Sequence, residues 1–141
     1  LLELQSNLKQ RFAQSPLEGT EILISSNRDQ KFLEKITQII EAKISDPQLS
    51  VEDLGREVGL SRSSLYKKIK AKTGYVPNEI VRIIRLKTAA KLLLKPEYSI
   101  AEIGYMVGFN SPTYISKSFY TQFELTPSEF SEKHKKDTTI L

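Results

Sequence analysis

The chain repeats itself, and the repeat limits the folds open to it more than any other feature. Ser50-Val51-Glu52-Asp53-Leu54-Gly55-Arg56-Glu57-Val58-Gly59-Leu60 returns as Ser99-Ile100-Ala101-Glu102-Ile103-Gly104-Tyr105-Met106-Val107-Gly108-Phe109, at an offset of 49 residues. Cap, apolar positions, small residue and turn glycine all coincide. Beyond the turn the offset is 50, pairing Leu65 with Ile115, Ile69 with Phe119 and Pro77 with Pro127. The extra residue falls in Asn110-Ser111-Pro112. Each copy reads as a capped helix, a glycine turn and a second helix, so the expected fold is all-α with two helix-turn-helix units.

Local signals set the elements. In the first copy Ser50 is a cap with acids in the first turn, and Val51, Leu54 and Val58 face a core. Gly55 is the small residue where a following helix can cross closely. Ser61 caps the next helix, Leu65 and Ile69 face inward, and Thr73-Gly74 ends it in a left-handed turn. The second copy has a capping box, Ser99 with Glu102, and Pro112 suits the first position of its second helix. Upstream, Phe32, Ile36, Ile39, Ile40 and Ile44 form one stripe of a helix over 29–45, with Pro47 beyond it. A final helix over 126–134 opens on the box Thr126-Pro127-Ser128-Glu129, and 135–141 reads as a frayed tail.

A long helix over 76–94 joins the two units. Pro77 starts it, Pro96 stops it, and Ile80, Ile83, Ile84, Ala90, Leu93 and Leu94 are its candidates for burial. Nineteen residues of helix measure about 28 Å. Successive major-groove faces on one side of B-DNA lie about 34 Å apart, so this connector suits two helices in adjacent grooves.

Charge points the same way. The net +4 hides segregation: residues 61–95 hold 10 basic side chains and one acid, Glu79, while the flanking segments are net acidic. The outward positions after the first turn are Arg62, Ser63, Tyr66, Lys67 and Lys70, with Lys68 and Lys72 alongside. A short helix anchored on one face and cationic on the other fits a major groove, and the concentrated patch fits a polyanion. The second recognition region, 110–124, has Lys117 as its only base. Two other readings compete: an ordinary solvated basic face, and a protein-interaction module that sets its basic helix against an acidic partner. Both must explain the same layout twice.

Enzyme chemistry finds little support. There is no Cys and one His, His134, set among Lys133, Lys135 and Lys136 and expected to be a solvated surface residue. No phosphate-cradling glycine loop or metal-ligand cluster is visible, so no cofactor is implied. No apolar run is long enough to cross a membrane and no signal peptide opens the chain, so a cytoplasmic setting is expected. Leu1, Leu4, Leu8 and Phe12 fall at helical spacing, and turn signals follow over 14–30, with 21–24 briefly extended. Residues 1–30 therefore read as the end of an upstream domain plus a linker.

Residues 31–134 resemble the DNA-binding domain of the AraC/XylS transcription regulators. The resemblance rests on Ile103-Gly104-Tyr105-Met106-Val107-Gly108-Phe109, Tyr114-Ile115-Ser116-Lys117-Ser118-Phe119 and Thr126-Pro127-Ser128-Glu129-Phe130. Leu60 to Lys70 adds to it, as does Ile84-Arg85-Leu86-Lys87 with Ala89, Ala90, Leu92 and Leu93. It implies about seven helices and sequence-specific transcription control, usually activation. Carried over by position, base-facing roles fall on Ser63, Tyr66 and Lys67 and on Thr113, Ser116 and Lys117. Phosphate contacts fall on Arg62, Lys70, Arg85 and Tyr114, and Ser64 and Ser111 complete the DNA-binding set. Lys67 and Lys117 stand where the family often has Arg, and Glu124 where it often has Gly. The opening segment is similar to the exit from a receiver domain, as in a hybrid two-component regulator. The partners implied are double-stranded DNA, an upstream receiver or sensor domain, RNA polymerase, and a second copy in a homodimer.

Overall fold

The computed structural model describes residues 9–19 and 27–139, and these contain eight helices and no strand. The helices are α1 (residues 9–14), α2 (Asn27–Ala42), α3 (Val51–Val58), α4 (Arg62–Thr73), α5 (Pro77–Leu93), α6 (Ile100–Met106), α7 (Pro112–Phe123) and α8 (Pro127–Thr139). The expected stripe at Leu1, Leu4 and Leu8 and the extended stretch over 21–24 lie outside the described residues. α8 runs to Thr139, past the expected end at 134.

Side-chain caps fix where the helices start. The Ser50 hydroxyl accepts from the Asp53 N–H at 3.2 Å, while the Ser50 N–H donates to the Asp53 carboxylate at 3.0 Å. Ser99 and Glu102 repeat the box, and Thr126 with Glu129 makes a third. Ser61 and Ser111 cap α4 and α7 through the N–H groups of Ser64 and Tyr114. Each cap satisfies backbone donors that the first helical turn leaves without a partner.

Turn glycines fix where α3 and α4 stop and how the second unit turns. Gly59, Gly74 and Gly108 have φ of 72°, 79° and 88°. Gly55 is small for a different reason: a Cβ there would sit 2.5 Å from the Leu60 carbonyl oxygen, so the backbone leaving α3 needs the space. Glu124 ends α7 at φ 63°, the one non-glycine residue with positive φ among those described.

There are two cores, and α5 belongs to both. Leu54, Leu65, Ile69, Ile80, Ile83 and Ile84 lie in the first. Leu86, Ala89, Ala90, Leu93, Ile103, Ile115, Phe119 and Phe130 lie in the second. α5 packs on α2 and α4 of one unit and on α6, α7 and α8 of the other, so ten of its 17 residues are buried. Amphipathicity is lost where a helix is covered from several sides.

Residues 9–19 pack against the first core and bond to the second unit. Phe12 is fully buried in the first core, with its ring 6.0 Å from that of Tyr75. The Tyr75 hydroxyl donates to the Lys9 carbonyl at 2.7 Å, and burial pushes its pKa up to about 12. Lys87 is buried, lies over the Phe12 ring and donates to the carbonyls of Ser15 and Glu18. Gln122 on α7 donates to the Ala13 carbonyl at 2.7 Å. The segment braces both units.

Candidate nucleic-acid interface

α4 presents the expected face. Leu65, Ile69 and Thr73 anchor it, and Arg62, Ser63, Ser64, Tyr66, Lys67 and Lys70 are exposed. Thr73 closes the helix by donating to the Ile69 carbonyl at 2.8 Å and accepting from the Tyr75 N–H at 3.0 Å. The cations differ in what surrounds them. Arg62 pairs with Glu52 of α3 at 2.7 Å, Lys72 pairs with Asp29 at 2.9 Å, and Lys68 lies over the Phe32 ring at 4.2 Å. The Glu52 carboxyl is held below its ordinary range, first by backbone hydrogen bonding and then by Arg62. Lys67 and Lys70 have no ion pair or hydrogen bond among the described residues. They are the cations of this helix with no local partner.

α7 repeats the arrangement with less charge. Ile115, Phe119 and Phe123 anchor it, and Thr113, Tyr114 and Lys117 are exposed, with Ser116 half-buried beside them. Ser111 serves as the cap. Phe109 backs the Tyr114 ring at 5.6 Å between centroids. The spacing 113, 116, 117 extends to Tyr120, which is 55% exposed and continues the same face by one turn. The family motifs do not single out Tyr120, although the i, i+3, i+4 spacing marks it.

Arg85 is a correction. A phosphate contact was expected, but the side chain is only 7% exposed. It sits where α5 passes from one core to the other. Its guanidinium donates to the Gly108 carbonyl at 2.6 Å, to the Val107 carbonyl at 3.3 Å and to the Asp46 carbonyl at 2.8 Å. One end of α2–α3 is thereby tied to the turn before α7. Burial lowers the Arg85 pKa, opposed by the Asp46 charge. A Cβ at position 108 would overlap this guanidinium and the Ile44 carbonyl, which explains the glycine there apart from its φ. Arg82, one turn earlier, is half-exposed and lines the cleft between the units instead.

His134 is also placed differently from the expectation. It is half-buried, 4.2 Å between centroids from Phe130, with Nδ1 3.0 Å from the Phe130 carbonyl. No group of three or more metal-ligating side chains occurs among the described residues, and none of their helices is long and apolar enough to cross a membrane.

Two anchored helices, each with an exposed polar face and both held by one central helix, define a double helix-turn-helix domain. A family model described as a helix-turn-helix domain matches residues 54–133. A solved AraC-type transcriptional regulator from Chromobacterium violaceum superposes with a TM-score of 0.71 at 31% identity, covering 77% of this chain and 96% of that one. The chain belongs to the AraC-type helix-turn-helix DNA-binding domains of transcription regulators. It is 40% identical to Histidine kinase P4 of Formosa agariphila over 95% of its length, and 32% identical to the Msm operon regulatory protein of Streptococcus mutans over 94%. It spans 10% of the first and 46% of the second, less than half of either curated relative.

Proposed function

We propose that the chain is the DNA-reading output domain of a transcription activator, with α4 and α7 entering adjacent major grooves. The observation that carries this reading is the repeat made physical: two capped, core-anchored helices of the same length, exposing Ser63, Tyr66 and Lys67 in one and Thr113, Ser116 and Lys117 in the other. Hydroxyls, a phenol and ammonium groups can donate to base-edge acceptors in the major groove. Arg62, Lys70 and Tyr114 position the duplex through its phosphates, which fixes register without reading sequence. The Arg62–Glu52 pair does not forbid this. Both partners are exposed, and water screens such a pair, so a phosphate can displace the carboxylate. Ser64 and Ser111 act at the helix starts. Burial of Arg85 turns it from a phosphate ligand into the tie between units.

The name of the Formosa relative, a histidine kinase of which this chain matches 10%, supports output from a two-component sensor through an upstream receiver or sensor domain. RNA polymerase, a homodimeric parent and a cytoplasmic setting belong to the same reading, and no catalytic role does. Selection of bound sequences from a random duplex pool, followed by titration of the enriched duplex at several salt concentrations, tests it. Enrichment of one sequence is expected, with log affinity falling by about 0.9 per phosphate neutralised against log salt. Equal binding to all duplexes, or affinity that ignores salt, would sink it.

A further inference from the structure

A cleft of about 700 Å³ opens between the two units. The first turns of α5 contribute Asn78 and Arg82, and the turn into α7 contributes Asn110, Ser111 and Tyr114, with Arg85 buried beside them. We propose that this cleft holds a backbone phosphate of the DNA strand running between the two grooves, with Arg82 as its cation. The proposal rests on the two-groove reading above.

Three observations converge on it. The first is charge. Arg82 is half-exposed and has no hydrogen bond or ion pair among the described residues, whereas Arg85 on the next turn donates to three carbonyls. Glu79, the one acid among the described residues that line the cleft, already accepts from the Val76 N–H at 3.1 Å, and the Asp46 charge acts on Arg85. The second is donor chemistry. Asn78, Asn110 and Tyr114 are exposed, and amides and hydroxyls are the usual partners of a guanidinium around a phosphate. The third is position. The cleft lies at the starting end of α7, one turn before Ser116 and Lys117, and between that helix and the first unit. DNA that fills the grooves on both sides must carry its backbone past this point, and its negative charges recur about every 1.7 Å along the axis. The partial positive charge of the 12-residue α7 start favours the same anion.

The test uses the duplex enriched by selection, with a single neutral methylphosphonate moved one linkage at a time through the interval between the two grooves. Arg82→Gln should lose about tenfold in affinity and about 0.9 in salt slope. Arg82→Lys should keep the slope. The one linkage whose neutralisation weakens the wild type should have no further effect on Arg82→Gln, since both changes remove the same contact. Thermal melting should be unchanged in both variants, because Arg82 makes no hydrogen bond or ion pair among the described residues and the Tyr75 phenol it faces is neutral at pH 7. Undiminished binding by Arg82→Gln with both grooves still protected overturns the proposal, and so do losses that add at every linkage. Saturation of the DNA-free protein by micromolar inorganic phosphate would assign the cleft to a free anion and overturn it too. If the wild type protects no pair of grooves, the two-groove reading fails first, and the footprint tells the two failures apart.

Discussion

Truncating Phe12 to alanine should unfold the first unit far more readily, although Phe12 lies outside the matched helix-turn-helix region. The side chain is 0% exposed, meets the Tyr75 ring at 6.0 Å and carries the Lys87 ammonium 4.7 Å from its centroid. Phe→Ala in a core costs about 3–5 kcal/mol, and the spread reflects how far the site can collapse. Phe12 sits on a short surface helix that can relax inward, so the lower half of that range is expected, about 3–4 kcal/mol. With a urea slope of about 2 kcal/mol per molar, the midpoint should fall by about 1.5–2 M. Urea titration followed by circular dichroism measures it, and deletion of residues 1–18 should give a loss at least as large. A midpoint that stays within about 0.2 M of wild type would refute the reasoning. The opening segment would then be a passenger on the domain.

Arg85→Ala should destabilise the domain by about 2–4 kcal/mol, since three carbonyls lose a charged donor; Arg85→Lys should recover little, because one ammonium cannot span them, and calorimetry decides. Glu124→Gly should raise stability by about 1 kcal/mol by relieving the left-handed backbone at φ 63°; a variant that melts at or below wild type at equal pH refutes this. The Asp53 and Glu129 carboxyls are held below their ordinary range, first by the backbone N–H groups of Ser50 and Thr126. Their folded pKa values are depressed, so the stabilisation is present above about pH 4 and is lost as pH falls through the lowered values. Melting temperatures from about pH 7 to about pH 3 should be flat and then decline, less steeply in Asp53→Asn; an identical decline in that variant contradicts the assignment. Lys67→Ala with Lys70→Ala should weaken binding more than Ser116→Ala with Lys117→Ala, because α4 carries more charge with no local partner; equal losses on one duplex at one salt concentration would show that base reading by α7 dominates.

Much of the architecture was legible because it is local. The caps at Ser50, Ser61, Ser99 and Thr126, the turn glycines and the apolar spacings each act over a few residues, and the repeat confirms one copy by the other. The exposed faces of α4 and α7 followed from those anchors. What escaped was set by distant contacts. Tyr75 reaches Lys9 across 66 positions and Gln122 reaches Ala13 across 109, and neither pairing leaves a periodic trace. Arg85 reads as a phosphate ligand because charge usually marks solvent, and nothing in the sequence marks Lys87 as buried. They lie on a helix covered by two units, and their partners are backbone carbonyls that carry no side-chain signature. His134 was misjudged for the same reason, since its flanking lysines said nothing of Phe130.

Footprinting of the enriched duplex, with methylation protection for major-groove guanines, decides whether α4 and α7 occupy adjacent grooves. Two protected major-groove patches on one face, about 10.5 base pairs apart, are predicted, and Ser116→Ala with Lys117→Ala should erase one of them while the other remains. A single patch in the wild type, or two patches on opposite faces of the duplex, would contradict that placement.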